Sequence, residues 1–300
     1  MSGKDSSASI SKSDGGKVKK LIKNVEASVR ARLLKIAKDS NRNFNAVLLQ
    51  YFQERLLYRL SISIFKYNFI LKGALLYLAF DISRIRPTKD IDFLGINTPN
   101  SEKKVLDMFR EVILIEEKDG VKFDADSLES ELIKEDADYQ GIRIYCIAYL
   151  GKIKRRMHFD IGFGDKIFPA PISLDFPVLL ANSSIPKVKG YTPESAIAEK
   201  FEAIVKLNYA TSGMKDFYDI YFMVRNCKFD LSILKKAIET TFKNRETDLS
   251  SRTIIYTEDF MNDATNQIQW KAFLLRMDLN TDITFEACII IIRDFIEAVL

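Results

Sequence analysis

A chain of 300 residues with 47% hydrophobic and 29% charged side chains has the composition of an ordinary globular protein and can bury a sizeable core. Its 45 basic and 41 acidic residues leave a formal charge of +4, which permits an anionic partner such as nucleic acid without arguing for one. Three scattered cysteines (Cys146, Cys227, Cys288) and one histidine, His158, exclude a thiolate–imidazole zinc site and read as reduced thiols. The first twenty residues lack the apolar run of a signal peptide. The greasiest stretch, "ACIIIIRDFIEAVL", is interrupted by Arg293, Asp294 and Glu297 and cannot span a bilayer. A cytoplasmic protein with no membrane partner is expected.

Residues 1–22, rich in Ser, Gly, Lys and Asp, read as a disordered tail. From about Val25 to Leu60, apolar positions recur at three and four, giving two amphipathic helices broken around "KDSNRNFN". "YNFILKGALLYLAF" starts as a strand at Phe69 and changes period after Gly73, so it reads as strand, turn, helix; "TKDIDFLG" is the next strand. Residues 101–111 look helical. "EVILIEEKDGVKF" and "YQGIRIYCIAYLGKIKRRMHFDIGFGD" supply further strands, with a hairpin near Gly151. The stretch 166–193 carries five of the seven prolines and reads as an irregular connection, after which the period is helical nearly to the end. The expected class is α/β (α+β): a helical arm and a mixed core over residues 23–190, then a helical C-terminal domain over 191–300. The helices before Leu60 and after Lys228 are expected to complete the core.

In "RPTKDIDFLG" (86–95), side chains two apart on a strand share a face, so Asp90 and Asp92 point one way and Ile91 and Phe93 the other. Adjacent carboxylates repel, and their pKa values rise unless a cation neutralises them. A hard divalent ion such as Mg²⁺ or Mn²⁺ does this while keeping water or phosphate in its other positions. Asp160, in the strand-like "RMHFDIGFGD", is the candidate third carboxylate, and His158 shares its face. A D-x-D alone is a common tripeptide. Here it follows a strand–Gly–helix turn able to present N–H groups to phosphate, and Arg86 and Lys89 stand beside it. Metal, phosphate donor and cationic clamp together suit phosphoryl or nucleotidyl transfer.

In the helical half, Thr192 and Pro193 make a helix start. Lys200 falls on the apolar line of Ile197 and Ile204, where a lysine snorkels outward more often than it meets an anion. Asp216 and Asp219 share a face with Ile220 and Met223, and carboxylates on such a stripe are rarely left unpaired. A structural lysine–aspartate pair is the reading local evidence favours; the alternative is a phosphate-binding Lys200 with Asp216 holding it in place or helping to deprotonate the acceptor.

Three segments, "FILKGALLYL" (69–78), "RPTKDIDFLG" (86–95) and "ESAIAEKFEAIVKL…MKDFYDIYFM" (194–223), together resemble the AbiEii/AbiGii-type nucleotidyltransferase toxins of the DNA-polymerase-β-like superfamily. The resemblance implies a small mixed nucleotidyltransferase-type sheet flanked by helices. It also implies transfer of a nucleoside monophosphate from an NTP to RNA, notably the tRNA 3′ end, with a cognate antitoxin as partner. Lys72 and Gly73 match the start of the family's K-G-G-[ST] segment, Asp90 and Asp92 its D-x-D, Lys200 the lysine of E-K, and Asp216 the first aspartate of K-D-x-x-D. The implied metal ligands are Asp90, Asp92 and Asp160; the catalytic set adds Lys200 and Asp216. Donor binding falls to Lys72, Gly73, Ala74, Arg86, Lys89 and Lys200. Ala74 and Leu75 depart from the family's Gly and hydroxyl residue, and Gly213 stands where a basic residue is common. A protein hydroxyl as acceptor, and a catalytically silent nucleotide or partner binder, are the alternative readings.

Overall fold

The computed structural model describes residues 24–80, 88–134, 140–210, 213–279 and 281–300. The tail at 1–22 and the two arginines Arg84 and Arg86 lie outside the described residues. Helix α1 (Val25–Asp39) and helix α2 (Phe44–Ile62) are separated where Asn41 takes a positive φ of 49° and Asn43 caps α2 by accepting from the Asn45 N–H. Strand β1 (Phe69–Lys72) runs into α3 (Gly73–Leu76), a single turn continued by a 3-10 turn over Tyr77–Phe80. Strand β2 (Ile91–Gly95) and helix α4 (Glu102–Ile113) precede the long strands β3 (Val121–Lys134), β4 (Gln140–Leu150) and β5 (Ile153–Phe163). Gly151, at φ 58°, makes the expected β4–β5 hairpin turn.

Two expectations change. Glu111–Ile113 belong to α4, because Val105, Phe109, Val112 and Ile113 form one buried helical face; the strand begins only at Val121. The proline-rich connection contains two short strands, β6 (Ile172–Asp175) and β7 (Lys187–Gly190), which pair with each other and extend the sheet. Buried Val188 between exposed Lys187 and half-buried Lys189 is the strand alternation that the prolines obscure.

The sheet order is β3-β4-β5-β2-β1-β7-β6, with β2–β5 and β1–β7 parallel and the other neighbours antiparallel. The C-terminal helices follow: α5 (Pro193–Leu207), α6 (Met214–Asn226), α7 (Leu231–Asn244), the short α8 (Arg252–Ile255) and α9 (Glu258–Met261), α10 (Ala264–Arg276) and α11 (Phe285–Val299). Buried apolar side chains form two clusters. One runs from Val29 to Tyr191 around the sheet, and the other joins Tyr77 to residues from Ala196 to Val299.

Helix α2 is not a simple amphipathic arm. Gln53, Glu54, Arg55 and Arg59 are buried along with its apolar residues, and each satisfies a distant backbone group. Gln53 donates to the Lys89 carbonyl at 3.0 Å, and Glu54 accepts the Leu179 N–H at 2.7 Å. Arg55 donates to the Ser184 carbonyl at 2.9 Å and Arg59 to that of Ile115 at 3.0 Å, while Arg59 also pairs with Asp119 at 2.7 Å. The first of these bonds anchors the residue just before Asp90.

Beneath the sheet, the Phe109 ring from α4 sits 4.6 Å from Phe69, 6.1 Å from Phe93 and 4.4 Å from Phe159, tying β1, β2 and β5 to one helix. These aromatics occupy the face opposite the aspartates and fix which way Asp92 points. Phe109→Ala is expected to destabilise the protein by about 3–5 kcal/mol, checked by urea denaturation; a loss below about 1 kcal/mol would show that the cluster repacks without it.

Candidate active site

The paired-strand register places four charged residues in one row across the sheet. Lys72 on β1 faces Asp92 on β2, Asp92 faces Asp160 on β5, and Asp160 faces Arg143 on β4. Directly opposed residues on neighbouring strands share a face, so the row reads cation, carboxylate, carboxylate, cation. Arg143 holds both oxygens of Asp160, Nε to Oδ1 and Nη2 to Oδ2, each at 2.7 Å. This bidentate pair raises the guanidinium pKa further. One step along the strands, His158 Nε2 meets Asp90 Oδ1 at 2.6 Å, and the His158 ring lies 5.9 Å from that of Tyr145.

The two aspartates of the D-x-D are shifted in opposite directions. The hydrogen bond from His158 holds Asp90 below the usual carboxylate range, and the same contact raises His158. Asp92 is pushed up to about 6, first by loss of water and then by the charges of Asp160 and Asp90, which Lys72 only partly offsets. The expectation that adjacent carboxylates titrate high unless a cation neutralises them thus describes both: Asp92 is raised, and His158 is the cation that holds Asp90 down.

Gly73 explains how Asp92 fits. Its φ is 69°, and a Cβ there would lie 2.0 Å from Asp92 Oδ2, so the carboxylate rests against bare backbone at the β1–α3 turn. From this point a cavity of about 360 Å³ opens between the sheet and the C-terminal helices. Lys72, Gly73, Asp92, Lys200, Lys215 and Asp216 line it, with Asp165, Tyr191, Glu199 and Arg245 around its wall.

Cations and carboxylates in this wall are extensively paired. Lys72 Nζ lies 3.0 Å from Glu199 and 3.6 Å from Asp165. Arg245 reaches Asp165 at 3.0 Å, Glu199 at 3.6 Å and the fully buried Glu202 at 2.9 Å. Desolvation would raise Glu199, but Lys72 and Arg245 outweigh it and bring the carboxyl down to about 2. Lys200 bridges Asp216 at 2.5 Å and the wholly buried Asp219 at 2.8 Å. It meets anions, then, where snorkelling was the commoner expectation.

The structure thus brings Lys72, Gly73, Asp92, Lys200 and Asp216 to one cavity and sets Asp90 and Asp160 beside Asp92 on the sheet face. Ala74 and Lys89 instead line a different cleft, one that shares Tyr77 with the cavity. Asp165, Glu199, Arg245 and Arg143 were not foreseen. Arg143 carries a signal in retrospect, as the sole charge in the strand "QGIRIYCIAYL". Arg245, beyond the end of α7, carries none that is local.

A divalent ion fits Asp90 and Asp92. They share a face, and Asp92 titrates high because burial and the neighbouring carboxylates outweigh Lys72, a cost that a hard cation would offset. Asp160 is different, since Arg143 occupies both its oxygens. Among the described residues no three His, Cys, Asp or Glu side chains converge as a ready-made metal cage. Two carboxylates completed by water and phosphate are the arrangement the residues can offer.

The profile of a family described as "Nucleotidyl transferase AbiEii toxin, Type IV TA system" matches residues 55–290. Among solved structures, JHP933 from Helicobacter pylori is similar at 15% identity and a TM-score of 0.49, covering 86% of this chain and 92% of that one. A second H. pylori protein, whose nucleotidyltransferase label is provisional, is similar at 14% identity and a TM-score of 0.45, covering 86% and 95%. No curated protein matches. Among the described residues no helix is long and apolar enough to cross a membrane.

Gly73→Ala is expected to displace Asp92 and to cost at least about 1 kcal/mol in backbone strain, seen as a lowered urea midpoint; an unchanged midpoint would show that the turn relaxes freely. His158 is the sole histidine of the chain, so its NMR titration is unambiguous. Its midpoint, in metal-free buffer, is expected above the ordinary value of about 6.5 and to fall back toward it in Asp90→Asn. The sign follows from the raised imidazole and the lowered carboxyl. The pair stabilises the fold above the ordinary carboxylate range, and this is lost as pH rises through the elevated His158 value. Equal midpoints in both proteins would contradict the contact.

Proposed function

Because the chain belongs to the AbiEii nucleotidyl transferase toxin family of type IV toxin–antitoxin systems, we propose that it transfers a nucleoside monophosphate from an NTP to RNA, the 3′ end of tRNA, and so arrests translation. The observation that carries this reading is the position of Asp92, which belongs both to the carboxylate row of the sheet and to the lining of the cavity. A triphosphate in the cavity brings its α-phosphorus to that row. The acceptor hydroxyl oxygen then bonds to the α-phosphorus, the bond from the α-phosphorus to the bridging oxygen of the β-phosphate breaks, and pyrophosphate leaves.

Mg²⁺ or Mn²⁺ held by Asp90 and Asp92 would neutralise the charge that gathers on the phosphoryl oxygens. The remaining work is positioning by the chain itself. Asp160 takes the proton of the acceptor hydroxyl and is oriented by Arg143. Lys72, Lys200 and exposed Lys215 face the triphosphate. Glu199 and Asp216 hold Lys72 and Lys200 extended into the cavity until phosphate oxygens share them. Membership of a toxin–antitoxin family implies an antitoxin partner. The cytoplasm, which holds both tRNA and NTPs, is the compartment this reading requires.

One observation favours a second reading, nucleotide binding without transfer: Asp160 is engaged by Arg143 at both oxygens, and the hydroxyl residue of the family's turn is replaced by Leu75. Incubation of the protein with Mg²⁺, total tRNA and each α-³²P-labelled NTP in turn separates the two. Label on tRNA with wild type, and at least about a hundredfold less with Asp90→Ala/Asp92→Ala, is the expected result. Transfer surviving in the double variant would remove the aspartates from the mechanism. Label on protein would change the acceptor. NTP binding with no label anywhere would establish the silent reading.

A further inference from the structure

We propose that the cleft between α2, α3 and the β4–β5 hairpin is the subsite for the terminal nucleotide of a single-stranded RNA acceptor. The proposal rests on the transfer reading above and assigns a place to its second substrate. The cleft holds about 320 Å³, at the small end of ligand-binding pockets. Thr88 and Lys89 line it just before Asp90, and Asp92, two residues further on, lines the cavity. The D-x-D therefore passes from one opening to the other, with Asp90 between them. Tyr77 borders both. A hydroxyl entering from the cleft and a triphosphate held in the cavity would meet at the carboxylates.

The lining has the chemistry of an unstacked nucleotide's site. Leu49, Leu75 and Leu78 provide an apolar floor for a base face, and the amides of Gln50 and Asn45, whose oxygens already accept from Arg42 and Arg155, offer N–H donors to a base edge. Lys89, Arg155 and Arg156 stand at the cleft, Arg156 also pairing with exposed Glu129 at 2.8 Å, and among the described residues no Asp or Glu lines it, in contrast to the mixed charges of the cavity. That one-signed lining beside an apolar floor suits a polyanion that carries flat, weakly polar bases. Arg155 is held toward α2 by its hydrogen bond to Asn45. The Arg156 guanidinium lies 3.8 Å over the Tyr145 ring, which neighbours His158 and through it Asp90. Arg156 thus stands on the strand face that carries the carboxylates, while Arg155 projects from the opposite face of β5 toward α2. Lys89, a donor-binding candidate on sequence grounds, faces the acceptor here.

The test is fluorescence anisotropy of a 5′-fluorescein-labelled single-stranded RNA, with binding of a fluorescent N-methylanthraniloyl ATP as the control for an intact fold. Wild type is compared with Arg155→Glu/Arg156→Glu and with Ala46→Trp, which fills the cleft. Both variants are expected to bind RNA at least about tenfold more weakly with ATP-analogue binding retained. The arginine variant should also show a salt dependence shallower by about 0.7 for each phosphate no longer neutralised, and Ala46→Trp an unchanged slope. RNA affinity within about twofold of wild type in both variants would overturn the subsite. The two proposals fail separately. RNA binding weakened in the variants, with no label transfer by wild type, keeps the subsite and removes the transfer reading. Label transfer to RNA at wild-type rates in both variants does the reverse.

Discussion

Everything at this site depends on two like charges being placed side by side in the middle of a sheet. Asp92 and Asp160 are direct neighbours on parallel strands, and neighbouring strands lie about 4.8 Å apart. At that spacing the repulsion is tolerable only if each carboxylate has its own compensation. Asp160 obtains it from Arg143, within hydrogen-bond distance. Asp92 has Lys72 opposite it, but that lysine is turned toward Glu199 and Asp165, and the Asp92 carboxyl keeps a raised pKa. The asymmetry leaves one position in the row where additional positive charge would be most strongly stabilised, and that position opens onto the cavity.

The helical half of the chain is organised around the same problem. Its helices do more than bury Trp270 and the aromatic residues around it; α5 carries Glu199, Lys200 and Glu202 toward the sheet, and the segment beyond α7 supplies Arg245. The resulting ion-pair network uses partners with at most a quarter of the side chain exposed, where pairs are screened little and breaking one partner away leaves the other poorly solvated. A phosphate entering such a wall meets cations already held in place by carboxylates. On the proposed reading it would gain orientation at the cost of competition with Glu199 and Asp216, a competition that a multiply charged ligand would meet better than a single phosphate.

Helix α2 performs a less obvious task. Its buried Gln53, Glu54, Arg55 and Arg59 satisfy backbone groups of three separate loops, among them the residue ahead of Asp90. Irregular segments that carry function are held from the interior here, by a helix whose polar side chains have no solvent to return to.

Much of this was legible in one dimension. The alternation Asp90-Ile91-Asp92-Phe93 settles that the aspartates share a face. Gly73 marks the change from strand to helix, and Thr192-Pro193 marks the start of α5. The spacing of Lys200, Asp216 and Asp219 carries the family likeness. These are local properties, written in periods of 2 and 3.6 residues and in capping chemistry. What sequence alone could not decide is who answers whose charge. Lys72 with Glu199, Arg143 with Asp160, Arg245 with Asp165 and His158 with Asp90 are each set by strand order, register and the docking of helices from far along the chain. Such pairings arise from hydrogen bonding and burial between distant segments, and no local period encodes them. The proline-rich stretch shows the same limit: its two short strands exist because β1 and β7 offer them edges, and an edge is a property of the folded sheet.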